Sequence, residues 1–284
     1  MKLKDKISDI KSTLSSCVGE REAYWISRDI FEDVMRYTEV DILLKGDEEL
    51  SDFVESKIDG IVARLLDGEP LQYVLGWARF AGNRFEVTRD TLIPRPETQE
   101  LVDLIISQNS TSKDLKVIDI GTGSGCIAIS LARGLKFSQV EALDISQGAL
   151  EVAQRNSSRL KTKVKFTHGD ALNMNVTQPN YYDIIVSNPP YIADKERDEM
   201  EPTVLDYEPS TALFVPDDDP IKFYTAIAKW GIGALKNKGK IYFEINPIYA
   251  TEMIGMMREL NYEEVLVTKD MYGRDRFLSA TKGE

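Results

Sequence analysis

The sequence predicts an α/β fold, a largely parallel sheet preceded by a small helical domain, and three observations carry that expectation. Apolar runs at 117–120, 140–143, 164–167 and 182–187 have the length and composition of buried strands, and helical or turn patterns separate them, as in a parallel sheet. The first run opens into Gly121-Thr122-Gly123-Ser124-Gly125 and then Cys126-Ile127-Ala128-Ile129, a strand, a glycine-rich turn and a helix in succession. Residues 1–70 instead set apolar side chains at helical spacing, as in Ala23-Tyr24-Trp25-Ile26 through Ile30-Phe31 and Val34-Met35, and again in Phe53-Val54 through Ile58, Ile61-Val62 and Leu65-Leu66.

In chain order, 1–70 reads as a helical bundle. Residues 1–75 hold 10 basic and 17 acidic side chains, a net of −7 within a chain total of −12, which suits a solvated helical surface or an interface for a basic partner. The pattern changes after Glu69-Pro70. Residues 79–87 read as a hairpin around Gly82-Asn83, so 71–95 is expected to be a hairpin linker and 96–284 the second domain. Leu92-Ile93-Pro94-Arg95-Pro96-Glu97-Thr98 is a proline-stiffened loop leading into a helix near Leu101. Arg95 and Glu97 are candidate substrate-side residues, and the alternative is a linker with a helix cap at Glu97 or Thr98. The acidic stretch 194–220 is too long for an ordinary connection, which marks it as functional or mobile. A helix at 223–234, a strand at 240–245 and a helix at 250–260 follow. Strands at 264–267 and 276–280, joined around Gly273-Arg274-Asp275, complete the chain as an antiparallel hairpin.

Composition narrows the function classes. Two cysteines, Cys17 and Cys126, supply neither a disulfide framework nor metal-ligand spacing, and the basic start Met1-Lys2-Leu3-Lys4 lacks a following apolar stretch. A soluble, monomeric protein of a reducing, cytoplasmic compartment is expected, without a metal or a membrane span. The net charge of −12 argues against nucleic acid as a stable partner.

The candidate chemistry lies at strand ends. Asp119 closes the first strand ahead of Gly121, Thr122, Gly123 and Gly125. A carboxylate there repels a pyrophosphate and attracts a cofactor carrying an ammonium and a sulfonium, so S-adenosyl-L-methionine fits better than NAD. Asp144 follows the second strand about 20 residues beyond the glycines, where an acid accepts from ribose hydroxyls. Asp170, with Ala171, follows the third and is placed for an adenine amine; each acid taken alone also suits a cap or turn. After the fourth run comes Asn188-Pro189-Pro190-Tyr191. Its prolines have fixed φ and no amide donor, so the loop offers acceptors only, the Asn188 side-chain oxygen and backbone carbonyls. Two rigid acceptors suit a planar –NH2 group whose lone pair is aimed at a methyl donor, with Asn188 and Pro189 taking the two hydrogens and Tyr191 walling the slot.

With these residues in view, the chain resembles the peptide chain release factor glutamine-N5 methyltransferases, the HemK/PrmC family. The resemblance rests on Gly68-Glu69-Pro70-Leu71-Gln72-Tyr73, Phe80-Ala81-Gly82, the Leu92 to Thr98 segment, the Asp119 to Gly125 loop, Asn188-Pro189-Pro190-Tyr191, Glu208-Pro209 and Gly273-Arg274-Asp275-Arg276. It departs from the family at Arg79, Gln99 and Asn246-Pro247. The resemblance implies a class I S-adenosylmethionine-dependent methyltransferase, Rossmann-like with a seven-stranded mixed sheet, behind a helical domain that helps recognise the substrate. That substrate would be the glutamine of the Gly-Gly-Gln motif in class 1 release factors. A nucleic-acid amino-methyltransferase, a glutamine methyltransferase acting on a ribosomal protein and a non-enzymatic nucleotide-binding module remain alternatives.

Overall fold

Seven strands form the main sheet of the computed structural model, which describes every residue of Met1–Glu284. They are β1 (Lys116–Ile120), β2 (Gln139–Asp144), β3 (Val164–His168), β4 (Tyr182–Ser187), β5 (Leu235–Glu244), β6 (Tyr262–Lys269) and β7 (Asp275–Lys282). Their lateral order is β6-β7-β5-β4-β1-β2-β3, and only β7 runs against its neighbours. The part β3-β2-β1-β4-β5 is a doubly wound order that reverses direction between β1 and β4, leaving a crevice at the strands' carboxyl ends. The expected seven-stranded mixed sheet is thus present.

The inner strands are buried on both faces because consecutive residues within them are apolar, as in Val117-Ile118, Ile184-Ile185-Val186 and Ile241-Tyr242-Phe243. Ile118, Ile120, Ile185, Ile241 and Phe243 pack on one side with Tyr224, Ile227, Met253 and Met257. Their alternates Val117, Ile184, Val186 and Tyr242 pack on the other with Leu101, Val102, Ile105 and Ile127. The first group comes from helices Lys222–Ala234 and Ala250–Glu259, the second from Pro96–Gln108 and Cys126–Gly134.

Three boundaries differ from expectation. β5 begins at Leu235 rather than 240, because Asn237-Lys238-Gly239 has turn composition, yet a left-handed Lys238 (φ 61) and a register shift against β4 carry the strand through it. Residues 71–95 are not a single linker. Leu71–Leu75 is a helical turn whose Leu71, Val74 and Leu75 join the core of the first unit, and the division between units falls at Gly76. The hairpin Trp77–Phe80 with Asn83–Glu86 belongs to the second unit, Trp77–Glu284, where Phe80 and Phe85 are buried beside Leu101 and Val117. Asn156 ties it down, with Oδ1 accepting from Glu86 N at 2.7 Å and Nδ2 donating to Glu86 O at 2.9 Å. The stretch 194–220 is also built rather than bare. It holds a 3-10 turn at Asp194–Glu199 and a helix at Pro202–Tyr207, and its strand Phe214–Val215 pairs with Ile192–Ala193.

The first unit, Met1–Gly76, is a bundle of helices including Leu3–Val18, Glu20–Met35 and Asp52–Leu66. Its core contains Leu3, Ile10, Leu14, Ile30, Phe31 and Ile58, and the buried Lys6 ammonium is paired with Asp59 and Asp9. No helix of the protein is long and apolar enough to cross a membrane.

Candidate active site

A cavity of about 380 Å³ lies at the carboxyl ends of β1, β2, β3 and β4, where the strand order reverses. Ten of the residues expected from the sequence line it: Arg95, Gly121, Thr122, Gly123, Asp144, Asp170, Ala171, Asn188, Pro189 and Pro190. Asp119, Gly125, Tyr191 and Glu97 do not.

The glycine loop forms the floor. Gly121 N and Thr122 N donate to Leu143 O at 2.8 and 3.1 Å, which holds the loop against β2. Gly121 (φ 77) and Gly123 (φ 54) are left-handed, and a Cβ on either would meet only open space, so both present bare backbone to a ligand. Gly125 (φ 80) is left-handed as well, and has a second cause. A Cβ there would lie 3.0 Å from Ala153 Cβ and from Ile129 Cδ1, so its absence lets helix Gln147–Arg159 pack close.

Two carboxylates stand on the wall. Asp144, 8 % exposed, accepts from Gly123 N at 2.8 Å and Ser146 N at 2.9 Å. One bond per oxygen leaves each a further lone pair for ligand hydroxyls. Burial pushes its carboxyl above the usual range, so a hydrogen-donating ligand would relieve it. Asp170 accepts from Leu172 N at 2.8 Å and Asn173 Nδ2 at 2.6 Å. It is therefore the turn residue its sequence allowed, on a turn that faces the cavity.

Asp119 sits beneath the loop. It is fully buried, and its Oδ2 accepts from Thr122 Oγ1 at 2.6 Å and Ala128 N at 3.2 Å, joining β1 to the loop and to helix Cys126–Gly134. Its Oδ1 is buried without a partner, so a hydrogen-donating group set against the loop is what this carboxylate lacks. Burial pushes its carboxyl up to about 7, with Asp144 adding to the rise, which makes it a weaker standing charge than its position in the sequence implied. An acid raised in the folded state binds its proton there while the unfolded chain has released it. Its contribution to stability therefore declines as pH rises from the ordinary value of 3.8 to about 7. Melting curves across that window should accordingly show wild type losing more stability than Asp119→Asn; parallel curves would mean the folded carboxyl titrates normally.

The Asn188-Pro189-Pro190-Tyr191 loop is anchored from behind. Asn188 Nδ2 donates to Thr98 Oγ1 at 3.2 Å, and Thr98 Oγ1 donates to Glu244 Oε2 at 2.7 Å. Tyr191 OH donates to Glu244 Oε1 at 3.3 Å, and Tyr224 OH donates to the Glu244 backbone carbonyl at 2.9 Å. Tyr191 thus braces the loop's rear and is not part of the cavity wall. Ser187 Oγ donates to Ile120 O at 2.6 Å, locking β4 to β1 at the point where the loop departs.

On the other side, Arg95 pairs with the buried Glu208, which also accepts from Ile93 N at 3.1 Å. This clamp ties the proline-stiffened segment to the stretch 194–220, whose Pro209, Thr211, Ala212 and Phe214 line the cavity. Helix Pro96–Gln108 begins with Pro96 at its first position and has no side-chain cap, so the alternative reading of a cap at Glu97 or Thr98 does not hold. Gln99 Oε1 accepts from Ala81 N at 2.9 Å and fastens the helix to the hairpin. Thr98 enters the sequence reading only as a possible helix cap and, like Glu208, as part of a family motif, and Glu244 is given no role there. The available signal was an acid closing the apolar run of β5, a costly place for an unpaired carboxylate.

Comparison with known proteins agrees with this geometry. Residues 98–204 match the family described as methyltransferase small domain, and residues 8–76 match the PrmC N-terminal domain. The release factor glutamine methyltransferase of Bacteroides thetaiotaomicron is 44 % identical over 273 residues, covering 96 % of this chain and 98 % of that protein. That of Flavobacterium psychrophilum is 38 % identical over 281 residues, 98 % of each. Among solved structures, a methyltransferase from Pyrococcus furiosus superposes with a TM-score of 0.53 at 18 % identity, over 78 % of this chain and 98 % of that one, a likeness of fold. The chain belongs to the release factor glutamine methyltransferase family.

Proposed function

We propose that this protein methylates the side-chain amide nitrogen, N5, of the glutamine in the Gly-Gly-Gln motif of class 1 peptide chain release factors, using S-adenosyl-L-methionine. One observation carries the reading: Asn188 is tethered through its nitrogen, so its acceptor oxygen is left for the cavity. The cavity suits the cofactor, with bare backbone at Gly121 and Gly123, carboxylates at Asp144 and Asp170 for hydroxyl and amine groups, and apolar Leu143, Ile145 and Leu172 for a flat ring. When bound, the cofactor supplies an electrophilic methyl group.

An amide nitrogen is a poor nucleophile because its lone pair is delocalised. The loop's task is orientation, not strong-base catalysis. Asn188 Oδ1 and the Pro189 carbonyl accept the two amide hydrogens and turn the lone pair toward the methyl group, and the rigid prolines hold the two acceptors in place. The proton acidified by methylation then leaves readily. The sole histidine takes no part: His168 ends β3 with Nε2 2.9 Å from Ile145 O.

The unit Met1–Gly76 is assigned to recognition of the intact factor. It carries the net charge of −7 and leaves Leu43, Leu44 and Phe53 exposed at 78, 80 and 76 %. Exposed apolar side chains among acids suit a partner with basic and apolar surface.

Labelled S-adenosylmethionine offered with a release factor, a short Gly-Gly-Gln peptide, ribosomal protein and DNA in parallel tests the proposal. Label is expected on the glutamine of the first two, and a fragment of 77–284 should keep the peptide while losing most activity on the factor. Label confined to DNA or to ribosomal protein would refute the substrate.

A further inference from the structure

An asparagine amide is nearly symmetric in shape, and its two orientations differ in which end donates and which accepts. Reversed, Asn188 would present N–H groups to an incoming –NH2 and repel the group it is meant to hold. Something must fix the orientation. The two residues that follow Asn188 cannot, since Pro189 and Pro190 have no amide hydrogen to give.

The answer lies behind the loop. Glu244, 2 % exposed at the end of β5, accepts from Thr98 Oγ1 at 2.7 Å and from Tyr191 OH at 3.3 Å; burial raises its carboxyl above the usual range, and the Thr98 hydrogen bond, the Arg276 guanidinium and the Tyr191 hydrogen bond oppose that rise. A carboxylate has no hydrogen to offer. Thr98 therefore directs its single hydroxyl hydrogen at Glu244, and toward Asn188 it can only accept. Asn188 Nδ2 stands 3.2 Å from that oxygen. The Thr98 hydroxyl is not committed to its own helix, whose start has no side-chain cap. Its partners lie 146 and 90 positions away along the chain, so the relay exists only in the folded sheet.

We propose that Thr98 and Glu244 are positioning residues: the buried carboxylate, acting through the threonine hydroxyl, fixes the Asn188 amide with its oxygen toward the cavity. Selectivity for a hydrogen-donating –NH2 group is thereby set two hydrogen bonds away from the side chain that touches it. This rests on the reading of Asn188 as the acceptor of the substrate amide. Glu244→Gln breaks the polarity of the chain, because a glutamine can donate to Thr98 and free the hydroxyl hydrogen to seek Asn188 Oδ1.

The test uses the full-length protein and two readouts. One is the single-turnover rate on a Gly-Gly-Gln peptide at saturating cofactor; the other is the pair of Asn188 side-chain N–H resonances, assigned by their loss in Asn188→Ala. Thr98→Val keeps the shape and removes the hydroxyl. It should lower the rate roughly 10- to 100-fold, as loss of a supporting hydrogen bond commonly does, with cofactor affinity within a few-fold and the Asn188 resonances shifted. Glu244→Gln should lower the rate similarly, and Thr98→Ser should restore both rate and resonances. Thr98→Val with wild-type rate and resonances would overturn the relay, as would a Thr98→Ser variant no better than valine, which would assign the effect to methyl packing. A wild-type protein that leaves the peptide unmethylated while Thr98→Val still moves the resonances would refute the glutamine reading and support the relay.

Discussion

Asn188→Ala is expected to lower the single-turnover rate of methyl transfer by roughly 10²–10³, the usual cost of removing one preorganised polar contact from a transition state. The structure explains why the loss should fall on rate. Asn188 Nδ2 is bonded to Thr98, and removing it leaves a hydroxyl that still donates to Glu244, so no buried donor is orphaned. The stability cost should be near that of one ordinary hydrogen bond, about 0.5–1.5 kcal/mol. Asp144, Gly121 and Gly123 stay in place, so cofactor affinity should hold within a few-fold by calorimetry. A variant turning over near the wild-type rate would reduce the Asn188-Pro189-Pro190-Tyr191 loop to a structural turn and remove the main support for the proposed chemistry.

Asp144→Ala should act on the other half of the site, weakening cofactor binding by about 1–3 kcal/mol as ligand hydroxyls lose a charged acceptor. That corresponds to roughly a 5- to 150-fold rise in Kd. Asp144 also accepts from Gly123 N and Ser146 N, so part of the loss comes from a slackened glycine loop. Asp144→Asn separates the two, since its amide oxygen can replace only one of the acceptors. Unchanged affinity in a folded Asp144→Ala protein would show that this carboxylate serves the turn alone.

The readable parts of the site were those written in short strings. β1, the glycine loop and helix Cys126–Gly134 are contiguous, and so are β4 and the double proline, so chain direction alone places both at the sheet's carboxyl edge. What a string cannot tell is which way a strand-end acid faces. Asp119 and Asp144 look alike in sequence, yet one lies under the loop with an unpartnered oxygen and the other lines the cavity. Thr98 and Glu244 were obscured by distance, being a helix-start threonine and a strand-end acid that gain meaning only as neighbours. The unit boundary at Gly76 was missed because Leu71–Leu75 is too short to show helical periodicity. Turn-like composition at 237–239 likewise hid the start of β5, where long-range pairing with β4 outweighed local preference.

The bond between Thr98 and Glu244 also bears on how the enzyme is made. A chain synthesised from its amino terminus has produced the glycine loop and the double proline well before residue 244 emerges, yet the loop lacks its rear anchor until then. β5 must still enter between β4 and β7, and β7 is the last strand of all. Contacts of such sequence separation form late, because chain-closure entropy is lost before they can compensate it. A chain that ends before residue 244 therefore holds the glycine loop and the double proline without the carboxylate that anchors the latter from behind.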